Sequence, residues 1–225
     1  MKSVIKNFAK THAPLVSLIY YWLMNNRISL RGVGNVVTRK NAYLRGSRIQ
    51  VKGCNNTVLI GEKLPSSLNG LRVYVCGSNN KIIIEEGVGA TGLTIYVEDD
   101  NNLVQIKKST QISGKTELAA IEGTKIIVGD NSLFSANITF RAGDSHSVID
   151  AVSGVRVNKS KDIILGDHVW IGNTVIVTKG TVIGNHCVVA TGSVVTGKTF
   201  PDNCAIGGNP AKVVKEGISW LFERI

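Results

Sequence analysis

The chain has 225 residues, and 26 Lys or Arg against 16 Asp or Glu give it a formal net charge of +10. Because 43% of the residues are hydrophobic, the chain has enough apolar side chains for a buried core and is not a disordered protein. The charge favours an anionic partner, but the basic residues are scattered and no nucleic-acid recognition pattern accompanies them, which argues against nucleic acid.

The cysteines and the N-terminal apolar stretch bear on the compartment. The four cysteines, Cys54, Cys76, Cys187 and Cys204, show no C-x-x-C spacing, so we expect reduced thiols rather than a zinc site or disulfides. The apolar stretch 13–24 is about half the length that spans a bilayer, and no cleavage site follows it. These observations favour a cytoplasmic protein.

Residues 1–31 form the first predicted segment. Its apolar residues recur at roughly helical spacing, interrupted by Pro14, which predicts a helix. We interpret it as a cap over the open end of the repeats that follow, since the first coil of a solenoid needs a cover. A helix that touches a membrane surface is the alternative.

Residues 32–208 repeat themselves, first with a long period. An Asn precedes a short apolar strand at positions separated by 21, 24 and 22 residues, and Thr124 continues the series: Asn35, Asn56, Asn80, Asn102. Such units, with no helix between strands, stack only by coiling, which predicts an all-β solenoid, a parallel β-helix. We expect these Asn to share one corner, to tolerate the left-handed backbone conformation and to bond to the coils above and below.

The second half follows a six-residue rule. Leading aliphatic residues come at intervals of six: Leu165, Ile171, Val177, Ile183, Val189, Val195. Small or β-branched residues follow each by four: Val169, Val175, Thr181, Cys187, Ser193, Thr199. This predicts three-sided coils of 18 residues with both sets pointing inward. The phase slips by one residue between Phe140 and Leu165, and the polar segment 146–162 predicts a loop that leaves the coil, a common place for function.

The segment from Asp167 to Lys215, DHVWIGNTVIVTKGTVIGNHCVVATGSVVTGKTFPDNCAIGGNPAKVVK, resembles the C-terminal signature of hexapeptide-repeat acetyltransferases of the maltose and galactoside type. The chain is similar also to the capsular sialic-acid O-acetyltransferases. The resemblance implies a left-handed β-helix and a homotrimer with active sites between subunits. It also implies acetyl-CoA as donor and a histidine base, and we expect no metal. The turn GNPAK leads the chain off the solenoid, and we expect a turn and a short helix over 209–225.

A hydroxyl is a poor nucleophile at neutral pH, so its acetylation needs a base such as histidine. His146 lies in RAGDSHSVID, where the hexads stop, and precedes Trp170 by 24 residues, the separation of the family's catalytic histidine and cofactor-flanking tryptophan. The resemblance therefore implies that His146 is the general base and that Trp170 flanks the thioester. Either Asp144 or Asp150 is expected to orient the imidazole.

The other histidines are weaker candidates for the base. His12 lies in the predicted cap. His168 and His186 are 18 residues apart, one coil, so we expect them to stack on each other as surface residues. A zinc-dependent hydratase on the same fold would need three converging histidines, and this pair has no third partner at suitable spacing.

The resemblance also implies a path for the cofactor. The amide of Gly172 or Asn173 is expected to donate to the thioester oxygen. Small residues let the pantetheine arm approach the backbone at Thr191, Gly192 and Thr196. Basic residues are expected to meet the phosphates of CoA at Lys198, Lys212 and Lys215.

The predicted acceptor is a sugar hydroxyl on a capsular or other surface polysaccharide. The surplus of positive charge favours an acidic polymer, of the sialic-acid type. Arg141, Arg156, Lys159 and Lys161 flank the predicted loop and are candidate acceptor contacts. The alternatives are an N-acetyltransferase of an amino sugar and a non-catalytic scaffold for capsule assembly.

Overall fold

The computed structural model describes residues 13–225. They form a parallel β-helix of eight coils, in which each coil contributes one strand to each of three sheets. The predicted all-β solenoid is confirmed, and its architecture is consistent with the left-handed β-helix that the resemblance implies. Below, the sheets are called A, B and C in the order in which the chain visits them.

Sheet A contains β1 (Arg27–Arg31), β4 (Arg48–Lys52), β7 (Arg72–Cys76), β10 (Leu93–Glu98), β13 (Thr116–Ala120), β16 (Ile138–Arg141), β19 (Ile176–Thr178) and β22 (Val194–Val195). Sheet B contains β2 (Val36–Arg39), β5 (Thr57–Ile60), β8 (Lys81–Ile84), β11 (Leu103–Ile106), β14 (Lys125–Val128), β17 (Ile163–Leu165), β20 (Val182–Ile183) and β23 (Thr199–Phe200). Sheet C contains β3 (Ala42–Arg45), β6 (Ser66–Asn69), β9 (Gly89–Thr91), β12 (Gln111–Ile112), β15 (Leu133–Phe134), β18 (Trp170–Ile171), β21 (Val188–Val189), β24 (Cys204–Gly208) and β25 (Ala211–Glu216).

The predicted Asn series forms a hydrogen-bonded ladder along one corner. The Asn80 amide N–H donates to Asn56 Oδ1 at 3.0 Å, and Asn102 donates to Asn80 Oδ1 through its backbone and side-chain nitrogens. The expectation that these Asn adopt the left-handed conformation is wrong, because the positive φ belongs to the residue before each of them, such as Asn55 or Asn79. The ladder residue needs ordinary backbone geometry to aim its side chain along the stack.

The hexad rule places successive aliphatics on successive sheets. Ile171 pairs with Val189 in sheet C, and Val177 pairs with Val195 in sheet A, each one 18-residue coil apart. All six leading aliphatics and the first five following residues are buried. Thr199 is the exception: it is exposed, and Phe200 points inward instead. The prediction for Thr199 was wrong because the last coil is one residue shorter, with Ile183 opposite Phe200.

The phase slip marks a loop, as predicted, although it begins earlier than residue 146. Strand β16 ends at Arg141 and β17 begins at Ile163, and Ala142 is still buried in the core with its N–H bonded to Ala119, so the chain leaves the coil after Ala142. The pairing of Thr139 with Ile176 spans 37 residues, whereas that of Thr116 with Ile138 spans 22. The loop emerges at the corner between sheets A and B.

The first segment contains one described helix, α1 (Ala13–Leu23). It covers the first coil as predicted: the Tyr20 ring meets Tyr43 edge-on at 5.6 Å, and Tyr21 is buried beneath the Arg39 guanidinium. The solenoid begins earlier than residue 32, because Arg27 already starts β1. The predicted helix before residue 13, including His12, lies outside the described residues.

The predicted C-terminal helix is wrong. Ala211–Glu216 form β25, which pairs antiparallel with β24, and residues 217–225 contain no helix. Pairing with β24 satisfies backbone groups at the last edge of sheet C, whereas an isolated helix of this length is marginal.

Candidate active site

The loop between sheets A and B is a braced hairpin. Ile149 and Arg156 form an antiparallel bridge, and the Val157 N–H donates to the Val148 carbonyl oxygen at 2.8 Å. Asp150 makes the turn at its tip by accepting from the Ser153 amide and hydroxyl. These bonds hold the Asp150 pKa below its ordinary value. Asp150 therefore shapes the turn of the hairpin.

An ion pair ties the hairpin to the solenoid. The Arg156 guanidinium donates to Glu122 Oε1 at 2.6 Å, and the Ser160 hydroxyl donates to Glu122 Oε2 at 2.7 Å. These contacts lower the Glu122 pKa from 4.5 to about 2. Arg156, predicted to bind the acceptor, thus anchors the loop. No motif or period pointed to Glu122, which lies 34 residues from Arg156.

Asp144 acts on His146 through the backbone. Its carboxylate accepts from the Lys179 ammonium and from Asn158 Nδ2, and the Lys179 bond is the main cause of its lowered pKa. Asn158 Nδ2 also donates to the His146 carbonyl oxygen at 2.8 Å. Asp144 therefore helps to fix the main chain at His146, and the predicted contact with its imidazole is not present. Lys179 and Asn158 were missed by sequence reasoning.

Within one protomer His146 and Trp170 lie on different sides of the solenoid. The exposed His146 belongs to the loop at the corner between sheets A and B, which is opposite sheet C in a three-sided coil. Trp170 opens β18 in sheet C, next to the corner between sheets B and C, and its side chain points outward with 38% exposure. One chain alone does not bring the two residues together.

Trp170 belongs to an aromatic cluster formed with the C-terminal tail. The Trp220 ring lies 6.0 Å from that of Trp170 and stacks on His168 at 4.2 Å. His168 and His186 lie next to each other on adjacent coils as predicted, with their Nδ1 atoms 3.2 Å apart, but their rings meet edge-on at 63° and His168 is half-buried. Burial, and then the charge of His186, lower the His168 pKa. Sequence reasoning missed Trp220, which carries no periodic signal.

The predicted cofactor-binding residues follow the last coils. The Gly172 N–H donates to the Val189 carbonyl oxygen at 2.9 Å, so the expectation that it donates to a thioester is wrong. A Cβ at Gly172 would lie 2.7 Å from the Thr191 nitrogen, which explains this glycine by coil packing. Asn173 is exposed, and its Oδ1 accepts from the Ala136 amide.

The remaining predicted cofactor contacts lie on the surface. A Cβ at Gly192 would meet nothing within 4 Å, although its φ of +73° favours glycine. Thr191 and Lys198 are exposed, and Thr196 is partly exposed. Lys212 and Lys215 are exposed in β25, opposite Gly207 and Ala205.

The candidate acceptor contacts differ in their availability. Arg141 forms an ion pair with Glu117 at 2.9 Å on the outer face of sheet A. Lys159 and Lys161 are exposed on the loop.

Among residues 13–225, no group of three or more His, Cys, Asp or Glu side chains is arranged to hold a metal ion. Within the same range no helix is both long and apolar enough to cross a membrane.

Comparison with known proteins supplies family relationships. A family model described as bacterial transferase hexapeptide (six repeats) matches residues 162–197. The polysialic acid O-acetyltransferase of Neisseria meningitidis is 33% identical over 195 residues, which cover 85% of this chain and 88% of that protein. The polysialic acid O-acetyltransferase of Escherichia coli O1:K1 / APEC is 36% identical over 138 residues, 52% of this chain and 44% of that protein. The second match therefore spans less than half of its relative.

Two solved structures share the fold along most of their length. The polysialic acid O-acetyltransferase OatWY superposes with a TM-score of 0.80 at 31% identity, covering 88% of this chain and 92% of that chain. The polySia specific acetyltransferase NeuO gives a TM-score of 0.63 at 30% identity, covering 88% of this chain and 83% of that chain.

Proposed function

Since this chain belongs to the hexapeptide-repeat acetyltransferases, we propose that it moves an acetyl group from acetyl-CoA to a hydroxyl of an acidic capsular polysaccharide of the sialic-acid type. The observation that carries the proposal is the similarity to the polysialic acid O-acetyltransferase of Neisseria meningitidis, which extends over 85% of this chain. The surplus of basic residues, +10 overall, suits such an acceptor.

In the proposed reaction His146 is the general base. Its imidazole takes the proton of the sugar hydroxyl as the oxygen attacks the thioester carbonyl carbon. The new C–O bond forms, the C–S bond breaks, and the proton passes to the departing thiolate of CoA. Trp170 flanks the thioester. The Asn173 amide is the better candidate donor to the carbonyl oxygen, because the Gly172 amide is already bonded to Val189.

The separation of His146 and Trp170 in one chain supports a site shared between subunits. Sheet B lies between the corner that carries the His146 loop and the corner next to Trp170. If three copies turn their B sheets toward a threefold axis, the corner that carries the His146 loop in one copy meets the corner next to Trp170 in the neighbouring copy. The proposed homotrimer thereby joins His146 of one subunit with Trp170 of its neighbour.

The outer face of sheet B has the composition of such an interface. Aliphatic side chains occupy successive register positions and are only partly covered within one protomer: Leu59, Ile83, Ile127, Ile164 and Val182. Gln105 interrupts this column, and a threonine stands at each of its ends, Thr38 and Thr199. A largely aliphatic column of this kind favours burial against another subunit.

We place the reaction in the cytoplasm, with contact to the membrane surface through α1. All four cysteines are free, and Cys187 Sγ lies 3.6 Å from Cys204 Sγ without a bond, which suits a reducing compartment. On α1 the side chains of Trp22 and Leu23 are 76% and 73% exposed. Exposed tryptophan and leucine side chains on a short helix suit the interfacial layer of a bilayer.

The test of the proposed function follows free thiol release from acetyl-CoA with sialylated, uronic-acid and neutral glycans. We expect release that depends on the sialylated acceptor and that falls by about 100-fold or more in His146→Ala, the usual loss for a general base. His186→Ala is the matched control and keeps its activity. Release that survives in His146→Ala moves the base elsewhere. If no acceptor gives thiol release and the chain does not bind CoA, the proposal that it is an acetyltransferase is wrong.

A further inference from the structure

The outer face of sheet A carries a groove that runs along the early coils to the His146 loop. We propose that this groove binds an acidic glycan over several sugar units and leads it to the acetylation site. The inference rests on the proposed function, to which it adds an acceptor-binding surface far from the acetyl donor.

Basic residues dominate the beginning of this face. Arg27, Arg48 and Arg72 stand opposite one another at successive register positions, and Arg31 stands opposite Lys52. All five alternate with inward-facing residues; four of them are exposed, whereas Arg72 is half-buried and its guanidinium donates to the Gly46 carbonyl oxygen at 2.6 Å. On β1, β4 and β7 no acidic residue accompanies them. Guanidinium and ammonium groups in such rows match the carboxylates of an acidic polymer.

Polar and aromatic side chains form the column beside the basic one. Gln50, Tyr74 and Tyr96 follow one another in register, on β4, β7 and β10. A groove of about 310 Å³ is lined by these residues together with Arg31 and Lys52. Tyrosine offers a flat apolar ring and a polar edge, which suits the alternating apolar and hydroxylated surfaces of a sugar ring.

A second groove of about 390 Å³ continues the first toward the loop. Tyr74 and Tyr96 line both, and the far wall of the second consists of Arg141, Gly143 and Ser145. Ser145 directly precedes His146 in the chain. The groove therefore connects the basic face of the first coils with the position of the proposed base.

The acidic residues of the second groove are engaged by neighbours. Glu117 is paired with Arg141 at 2.9 Å, and Glu98 accepts a hydrogen bond from the Tyr96 hydroxyl at 3.0 Å. The acidic hydrogen-bond partner raises the Tyr96 pKa. The Arg141 pair therefore offsets the negative charge of Glu117, whereas Glu98, bonded to a neutral hydroxyl, keeps its charge.

The dimensions suit a chain rather than a single sugar. From β1 to β16 the sheet advances by five strand spacings of about 4.8 Å each, roughly 24 Å. A monosaccharide occupies a small part of this length, so affinity is expected to rise with the number of sugar units, as contacts add along the track.

The experiment measures binding of fluorescent sialic-acid oligomers of increasing length to the full chain, without acetyl-CoA, by anisotropy. The double variant Arg48→Ser with Lys52→Ser is expected to weaken binding of long oligomers by about fivefold or more. Tyr74→Thr, which keeps β propensity, is expected to act in the same direction. The control Lys40→Ser with Lys63→Ser removes the same charge at the corner between sheets B and C and leaves binding unchanged.

Turnover separates this proposal from the proposed function. In the double variant we expect a higher KM for the polymer, an unchanged kcat, and unchanged activity toward an acceptor of one or two sugars. If the double variant acetylates the polymer as well as the wild-type chain does, the proposed role of the groove is wrong, while the proposed enzymatic activity stands. If the wild-type chain binds the oligomers through these residues but releases no thiol from acetyl-CoA, the proposed enzymatic activity is wrong, while the proposed role of the groove stands. If a single-stranded oligodeoxynucleotide binds as tightly as the sialic-acid oligomers and the double variant weakens its binding too, the assignment of the groove to a glycan is wrong.

Discussion

Trp220 stacks on His168 with ring centroids 4.2 Å apart and planes inclined by 5°, and its indole N–H donates to the His168 carbonyl oxygen at 2.8 Å. The two residues are 52 positions apart. This contact fastens the C-terminal tail over the corner next to Trp170. It therefore links the end of the chain to the proposed acetyl-donor site.

Replacement of Trp220 by Ala should release the tail and expose His168. Loss of a buried indole typically costs about 3–5 kcal/mol, and we expect the lower end because the tail lies at the surface. Since burial is the main cause of the low His168 pKa, this pKa should rise toward its ordinary value. Thermal unfolding and NMR titration of the histidines measure both effects. Leu221→Ala, at a neighbouring exposed position, should change neither.

The sign of the His168 effect on stability can be tested directly. Because its pKa is lowered in the folded chain, the unfolded chain binds more protons as the pH falls below the ordinary value of 6.5. Wild-type stability should therefore decrease on acidification through that range. His168→Gln should reduce this pH dependence of stability. An unaltered pH profile would show that the burial of His168 does not contribute to it.

The Asn ladder predicts opposite behaviour for two adjacent residues. Asn80→Ala removes the acceptor for Asn102 and the donor to the Asp99 carbonyl oxygen inside the stack, so it should destabilise the chain by about 2–4 kcal/mol. Asn79→Gly should be nearly neutral, because Asn79 has a φ of +58° that glycine adopts freely. Urea unfolding compares the two. Equal losses would contradict the division of roles.

The Glu122–Arg156 pair should make the loop sensitive to acid. Its contribution is fully present above the ordinary Glu pKa of 4.5 and is lost as the pH falls toward about 2. At neutral pH, Glu122→Gln should speed hydrogen exchange of the Val157 amide within the hairpin. A double-mutant cycle with Arg156→Gln should give a coupling of about 0.5–1 kcal/mol, whereas strictly additive effects would count against the anchor.

The shared site predicts complementation between inactive chains. A mixture of His146→Ala and Trp170→Ala subunits, unfolded and refolded together, should recover activity, because some interfaces then pair an intact His146 with an intact Trp170. Each variant refolded alone should stay inactive. Thiol release measures the recovery.

Ile127→Lys, in the aliphatic column of sheet B, should dissociate the assembly in analytical sedimentation. Persistence of a trimer would show that this face of sheet B is not the subunit interface.

The exposed side of α1 predicts binding to lipid. Trp22→Ser with Leu23→Ser should reduce co-sedimentation with anionic vesicles, since it removes two strongly exposed apolar side chains of the helix. Solution turnover of short acceptors should not change. Leu64→Ser, which removes an exposed apolar residue elsewhere, is the control. Equal losses in the two variants would point to non-specific adsorption.

The sequence by itself determined the solenoid and most of its interior. The hexad from Leu165 to Val195 and the Asn series from Asn35 to Asn102 predicted buried positions and a ladder that the structure confirms. Both succeed because a repeat imposes the same local environment on each copy, so the period fixes which side chains point inward. The interruption at 146–162 indicated the loop for the same reason.

The tertiary structure decided the contacts that no period encodes. The stacking of Trp220 on His168 joins residues 52 positions apart, and the ion pair of Asp144 with Lys179 joins residues 35 positions apart. The pairing of β25 with β24 replaced the expected helix, and the shorter last coil turned Thr199 outward. Each depends on which distant groups the completed coils bring within bonding distance, a property of the folded chain that local sequence does not specify.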